Sequence, residues 1–381
     1  MNNRYYSLDV FRGATVAFMI LVNNPGSWSY IYPPLEHAPW HGCTPTDLVF
    51  PFFLFAVGNA MAFVMPRLQQ AGTSVFLKKI IKRATLIFAI GLLLNWSPFV
   101  KWDNDALVFK HWKDIRVMGV LQRIALCYLF ASFIVYFAKL KGSFIIGGII
   151  LLFYWYACWA AGTPGAAYNL SGYFGTVIDL KILGSNHIYK GEGVPFDPEG
   201  LANTFPAIVQ VLFGYIVGQY IIYKGKSRDL LIHLLIAATI LTATGLGWST
   251  VFPLNKKIWS SSYVLYTTGL AIFTLTVLVF VIEFKNKKGK ITRFFDVFGK
   301  NPLFIFVLSG FLPRLLGLIR IENYVNNKLV YMSPLGWLYE HICKPISSDP
   351  RSGSLLYAII LVAFYWLVAY ALDKKKIYIK V

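Results

Sequence analysis

About ten apolar runs, most of them long enough to cross a bilayer as a helix, constrain this chain more than anything else in it. A crossing helix needs roughly 20 apolar residues to traverse a hydrocarbon core about 30 Å thick. The runs cover approximately residues 8–24, 47–65, 84–96, 117–137, 144–161, 202–222, 230–247, 263–282, 302–318 and 355–372, the third starting earlier, near Ile80. With 57% of residues apolar and only 14% charged, the composition is that of a membrane protein. The expected fold is therefore all-α, a polytopic membrane protein of about ten transmembrane helices. No low-complexity linker or soluble segment interrupts it, so residues 1–381 read as one transmembrane domain.

The net charge of +19 raises the prospect of nucleic acid, but the placement of the charge speaks against it. Basic residues sit in alternate connections: Arg67, Lys78, Lys79, Lys82 and Arg83, then Lys139 and Lys141, then Lys224, Lys226 and Arg228, then Lys285, Lys287, Lys288, Lys290, Arg293 and Lys300. The C-terminal tail adds Lys374, Lys375, Lys376 and Lys380, whereas the first intervening loop, residues 25–46, holds no Lys or Arg. That is the positive-inside pattern, and it predicts that both termini are cytoplasmic. An even number of crossings follows, which makes Ser333 to Cys343 an external amphipathic helix, since Glu340 and His341 would be costly in lipid. The first run lacks a basic leader and a small-residue cleavage site and reads as a retained helix. Cys43, Cys127, Cys158 and Cys343 give neither a disulfide framework nor metal spacing, and no metal is expected.

The longest connection, residues 162–201, lies on the predicted external side, and loops of that length in compact domains are commonly functional. It is rich in Gly, Asn, Tyr and Asp, and ends in Asp197-Pro198-Glu199-Gly200. With Lys110 to Arg116 and the stretch from Phe252 to Ser262, it gives the external face carboxylates, amides and aromatics, the mixture that sugar recognition needs. Ordinary solvated loops have the same composition. No repeat with matching broken helices appears in two halves, which weighs against a transporter.

The segment Glu36-His37-Ala38-Pro39-Trp40-His41-Gly42-Cys43-Thr44-Pro45-Thr46-Asp47-Leu48-Val49-Phe50-Pro51-Phe52-Phe53 sets a titratable imidazole in a loop between two apolar runs. An ionisable group at a membrane boundary points by default to function. The order H-A-x-W-x-G-x4-D-L-V-F-P-x-F resembles that of the transmembrane N-acetyltransferases related to heparan-alpha-glucosaminide N-acetyltransferase. Tyr6-Ser7-Leu8-Asp9-Val10-Phe11-Arg12-Gly13, Arg116-Val117-Met118-Gly119-Val120-Leu121-Gln122-Arg123-Ile124-Ala125, Phe196 to Leu201, Asn255 to Ser262 and Phe298 to Leu303 are similar to further family elements, in order along the chain. The animal relatives carry an additional luminal domain and one more helix, so the sequence looks like the short bacterial type, expected in the bacterial inner membrane.

The resemblance implies transfer of acetyl from cytoplasmic acetyl-CoA to the amine of a glucosamine-type sugar on the external side, with His37 as the catalytic residue. His37 acts either as general base or as an acetyl carrier, and the sequence does not choose. Asn23, or its neighbour Asn24, is placed to donate to the developing oxyanion. Asp47 either holds the imidazole tautomer, binds the sugar, or caps the second helix. Arg12, Arg83, Lys300 and Asn301 are the candidate contacts for CoA at the cytoplasmic side, the last two at a Pro-initiated helix start able to receive phosphate. Arg12 also lies three residues from Asp9, which makes a local ion pair its alternative. Asn23, Asp47, Gln122 and Arg123 are expected to line the far end of a tunnel for the pantetheine arm. Trp40, Asp197, Glu199, Lys256 and Trp259 are the candidate acceptor contacts. The expected partners are the amino sugar and the bilayer, with a homodimer left open. An amino-sugar or lipid-linked sugar transporter and an envelope polysaccharide O-acyltransferase are the alternative classes.

Overall fold

A computed structural model describes residues 5–325 and 328–379; Lys380, counted above with the basic tail, lies outside them. In chain order the helices are α1 (Tyr6–Asn23), α2 (Val49–Gln70), α3 (Thr73–Trp96), α4 (Val120–Ala161), α5 (Phe174–Leu183), α6 (Thr204–Lys224), α7 (Arg228–Trp248), α8 (Ser261–Val279), α9 (Lys290–Lys300), α10 (Pro302–Leu316), α11 (Pro334–Leu338) and α12 (Pro350–Lys374). Each apolar run of the sequence falls on a helix. Two of them fall on α4, whose 42 residues are interrupted at Lys139, where φ 56° and ψ −165° leave helical geometry.

Among the described residues, six helices are long and apolar enough to cross a membrane unaided, and α9 with α10, bent by 78°, makes a seventh if taken as one span. Length and apolarity thus fall short of ten. The reason is visible in α1, which carries Asp9 and Arg12, in α3, which carries Lys78, Lys79, Lys82 and Arg83, and in α4, which counts once although it carries two of the runs. Two small hairpins were not anticipated from the sequence: β1 (Val100–Asp103) with β2 (Ala106–Phe109), and β3 (Ile321–Val325) with β4 (Lys328–Met332). Arg320 joins them, its guanidinium 3.8 Å from the Trp102 ring centroid and 4.8 Å from that of Tyr331. The predicted amphipathic helix at 333–343 is realised as α11 plus a wider turn through Cys343, with Tyr339 and Cys343 buried against α12.

The centre belongs to α2 and α6, buried over 67% and 72% of their spans, against 22% for α4 and α7. Lipid tails are as apolar as Leu, so helices associate there by close packing of small residues rather than by water exclusion. Gly58 and Gly214 allow this. A Cβ on Gly58 would lie 2.0 Å from the Val211 carbonyl oxygen, and one on Gly214 would lie 2.1 Å from that of Phe55. One apolar core joins α2, α3, α4 and α6, a second joins α1, α9, α10 and α12, and Phe53 and Phe306 pack against both.

Candidate active site

The loop after α1 is folded by its own polar groups. Thr44 begins a turn at Pro45–Leu48 as one half of a capping box, with Asp47 as the other half, and this turn runs into α2. The Thr44 hydroxyl donates to the Glu36 carbonyl at 2.6 Å, drawing the preceding segment back. Gly42, at φ +113°, adopts backbone that favours glycine, and its N–H donates to the Leu254 carbonyl at 2.8 Å. The two loops after α1 and α7 are therefore tied together.

His37 and Asp47 meet in this frame. His37 Nδ1 lies 2.6 Å from Asp47 Oδ1, while Asp47 Oδ2 accepts the Ala38 and Thr44 N–H groups, each at 3.0 Å, and the Thr44 hydroxyl at 3.1 Å. Asp47 is nearly fully buried and His37 is partly exposed. A carboxylate held by so many donors remains an acceptor for Nδ1–H, which leaves the lone pair on Nε2. The capping and tautomer-holding readings of Asp47 are thus one arrangement. Lys256 Nζ stands 3.1 Å from His37 Nδ1, 3.3 Å from Nε2 and 3.6 Å from Asp47 Oδ1. Burial lowers the Lys256 pKa, and Asp47 and Glu199 partly restore it. The nearby Cys43 thiol is pushed by burial to about 12, so it is no thiolate nucleophile at neutral pH.

Three cavities run through the bundle and share walls. The outermost, about 740 Å³, is lined by His37, Trp40, Asp47, Arg116, Glu199 and Lys256 among others. The middle one, about 650 Å³, is lined by Asn23, His37, Phe53, Ile124, Glu199 and Lys256 among others. The third, about 890 Å³, is lined by Arg12, Phe53, Arg83, Ile124, Tyr128 and Pro302 among others. His37, Glu199 and Lys256 border both the outer and the middle cavity, and Phe53 and Ile124 border both the middle and the third.

The structure sorts the sequence candidates. Asn23 faces the middle cavity with His37, whereas the Asn24 side-chain amide is engaged with the Ile20 carbonyl at 2.9 Å. Trp40 and Trp259 line the outer cavity. Asp197 does not; fully buried, it accepts from Arg116 Nε at 2.9 Å and Nη2 at 2.5 Å. Glu199 takes the same Nη2, and burial notwithstanding, Glu199 and Asp197 raise the Arg116 pKa and keep it charged. Arg123 is fully buried behind the cavities, bonded to Asn203 and lying over the Trp259 ring at 5.0 Å. Gln122 packs against Gly91 and Gly119 instead of lining a cavity. Arg12 and Arg83 line the third cavity; Arg12 also bonds the Gly299 carbonyl and Asp9, both at 2.8 Å. Lys300 and Asn301 do not line it. Lys300 lies 3.0 Å from both Asp296 and Asp373, and the Asn301 side chain bonds the Ile377 and Ile379 backbone. Arg116, Tyr189, Glu192 and Lys257 line the outer cavity without having been singled out as contacts. Arg116 and Lys257 had been signalled only by standing within the sequence words quoted above.

A paired imidazole and carboxylate beside wall-sharing cavities within a bundle of apolar helices is the arrangement of a multi-pass membrane protein with a candidate site at one end of the bundle. Residues 4–246 match the family described as "Heparan-alpha-glucosaminide N-acetyltransferase, catalytic". The chain belongs to that family. It is similar to the heparan-alpha-glucosaminide N-acetyltransferase of Homo sapiens, 28% identical with 99% of this chain and 60% of the relative covered. The protein of the same name from Mus musculus is 27% identical, with 100% and 61% covered. This chain spans about three fifths of the length of those relatives.

Proposed function

We propose that this protein is an acetyl-CoA-dependent N-acetyltransferase acting on the amine of a glucosamine-type sugar across a membrane. The supporting observation is the run of three wall-sharing cavities that has Arg12 and Arg83 at one end and His37, Asp47 and Lys256 toward the other. Acetyl-CoA enters at the arginine end, where guanidinium groups suit its phosphates, and its pantetheine arm follows the passage past Phe53 and Ile124. The sugar enters the outer cavity, where Trp40 and Trp259 offer aromatic faces and Glu199 and Glu192 offer carboxylates. With the topology read from the charge pattern, the chain forms one domain of ten crossings in the plasma membrane, both termini cytoplasmic and the outer cavity external.

A glucosamine amine is largely protonated at neutral pH and attacks only after losing that proton. In the transfer, the free amine attacks the thioester carbon and His37 Nε2 takes the proton that the nitrogen sheds. The C–S bond then breaks, and the imidazolium returns the proton to the departing thiolate. Asp47 holds Nδ1–H throughout and stabilises the imidazolium while it exists. The Asn23 amide faces the same cavity and is placed to donate to the carbonyl oxygen. This is a ternary-complex route, which avoids a histidine-bound acetyl intermediate.

The deciding experiment supplies purified protein with acetyl-CoA and glucosamine and follows CoA release together with the product. Sugar-dependent CoA release with an alkali-stable amide product is the expected result. No release would favour a transporter, an alkali-labile product would favour O-acylation, and either overturns the proposal. A reporter fused after Lys376 that is active only outside the cell would overturn the topology.

A further inference from the structure

The only residues bordering both the outer and the middle cavity, among those described, are His37, Glu199 and Lys256. If donor and acceptor come from the two sides, these three groups surround the point where they meet. His37 has its task there, and Glu199 is held by Arg116. Lys256 is the remaining group, and it is a cation with three N–H donors and no acceptor. The Asp47 contact at 3.6 Å is loose, and Nδ1 of His37 is already committed to Asp47, so only Nε2, at 3.3 Å, can accept from Lys256. Even with Asp47 counted as a second partner, one donor remains for the cavities.

The loop carrying Lys256 is built to hold it still. Asn255, fully buried, accepts the Ile258 N–H on its side-chain oxygen at 3.0 Å and receives the Ser260 N–H on its backbone carbonyl at 3.0 Å. The Ser260 hydroxyl accepts the Asn255 N–H at 3.0 Å and donates to the Pro253 carbonyl at 2.8 Å. Asn203 donates to the Lys257 carbonyl at 2.9 Å. Trp259, a non-glycine residue at φ 53°, sits in left-handed backbone, and such strain persists only where the surroundings over-determine it. Held on a loop fixed in this way, the ammonium needs only to redirect an N–H when the thioester binds, and it then stabilises developing charge without further reorganisation.

We propose that Lys256 is a catalytic residue whose ammonium donates a hydrogen bond to the thioester carbonyl oxygen as negative charge gathers on it. The inference rests on the acetyl-transfer reading given above. Before the donor arrives, one Lys256 N–H covers His37 Nε2; as that donor turns to the carbonyl oxygen, the Nε2 lone pair is uncovered for the amine. Lys256 keeps its proton throughout. The bond formed is C–N, the bond broken is C–S, and the proton passes from amine to His37 to sulfur. Partial neutralisation of the ammonium by Asp47 and Glu199 lets a cation stand beside the base without expelling its proton.

Two measurements on the purified full chain test this. Lys256→Met should lower kcat with glucosamine by roughly 10²–10³-fold, the usual loss for an oxyanion donor, while the affinity for CoA stays the same; Lys256→Arg should recover part of the loss. The second uses a ketone analogue of acetyl-CoA in which CH2 replaces the thioester sulfur, carbon-13 labelled at the carbonyl. Its infrared carbonyl band should lie at lower frequency when bound to the parent than when bound to Lys256→Met. The band in Lys256→Met also proves that the variant folds and binds. Identical bands in the two proteins, or parental kcat in Lys256→Met, would overturn the role of Lys256 while leaving the acetyl-transfer reading intact. Absence of any sugar-dependent CoA release by the parent would overturn both.

Discussion

Two ionic clusters lie toward opposite ends of α1, and they differ in what their charges face. Near Arg12, Arg293 and Lys300 are paired with Asp296 and Asp373, and Asn301 holds the tail after α12 at Ile377 and Ile379. Every one of those groups is turned to another part of the protein. Near Asn23, Asp47 is equally saturated, but His37, Glu199 and Lys256 each keep an edge on a cavity. The first cluster is a clasp at the bend between α9 and α10. The second is an apparatus with capacity left over for a guest. Charge density alone does not mark a binding site; unspent hydrogen-bonding capacity beside a void does.

The comparison breaks most decisively at His37. His37→Ala should lower turnover roughly 10²–10⁴-fold with acetyl-CoA affinity unchanged, read from steady-state CoA release and equilibrium binding. Near-parental turnover would move the chemistry elsewhere. Next comes Asp47→Asn, which keeps the shape but cannot fix the Nδ1–H tautomer. A loss of roughly 10²-fold or more in kcat is expected. Trapping of acetyl on His37 from acetyl-CoA alone would replace the direct-base route with a covalent one.

Smaller effects are expected at the arginine end. Arg83→Ala should weaken CoA binding about tenfold, the worth of a charge-assisted hydrogen bond, and flatten its dependence on salt. Lys300→Met should leave CoA affinity unchanged, because its ammonium is spent on Asp296 and Asp373. A matching loss in both variants would erase the distinction between clasp and apparatus.

Asp179 on α5, packed against the segment that carries Glu199, provides a pH test that reads stability and not turnover. Burial raises its pKa to about 7, with Asp197 adding to the rise and the bond from the Leu201 N–H opposing it. A folded carboxyl that holds its proton more tightly than the unfolded chain stabilises most at low pH. That contribution is lost as pH climbs from about 4 through about 7. Tm in detergent should therefore fall over that window in the parent and less in Asp179→Asn. The smallest effect is reserved for the clasp: Lys300→Met should cost about 1 kcal/mol, seen as a drop of a few degrees in Tm, with kcat unchanged.

The helical bundle was legible because hydrophobic runs of membrane length have few other uses, and every run falls on a helix. The break at Lys139 also falls where the two runs of α4 were separated. The meeting of His37, Asp47 and Asn23 could be expected because two of the three lie within one short loop and the third ends the helix before it. Other groups escaped for a physical reason. Lys256 is legible as an acceptor contact, but its place beside His37 is not: the two are 219 residues apart, and the Gly42 N–H bond to Leu254 that brings their loops together leaves no trace in local pattern. Asp197 and Arg123 look like ligands in a sequence because they are charged near a loop. Burial and their pairing with Arg116 and Asn203 make them supports instead. Lys300 had the right charge at a helix start, but its carboxylate partners come from a position 73 residues away as well as from its own helix.

The waist between the two inner cavities carries a consequence for the membrane itself. On the acetyl-transfer reading proposed above, a passage that admits a pantetheine arm from one face and a sugar from the other is, when vacant, a potential leak for ions and protons. Phe53 and Ile124 are the residues the two cavities share, and both are apolar. A narrow neck walled by hydrocarbon repels water, and a dry neck conducts nothing. On that reading, the same two side chains would let a slender, largely uncharged arm slip through and keep the cell's ion gradients from discharging between turnovers.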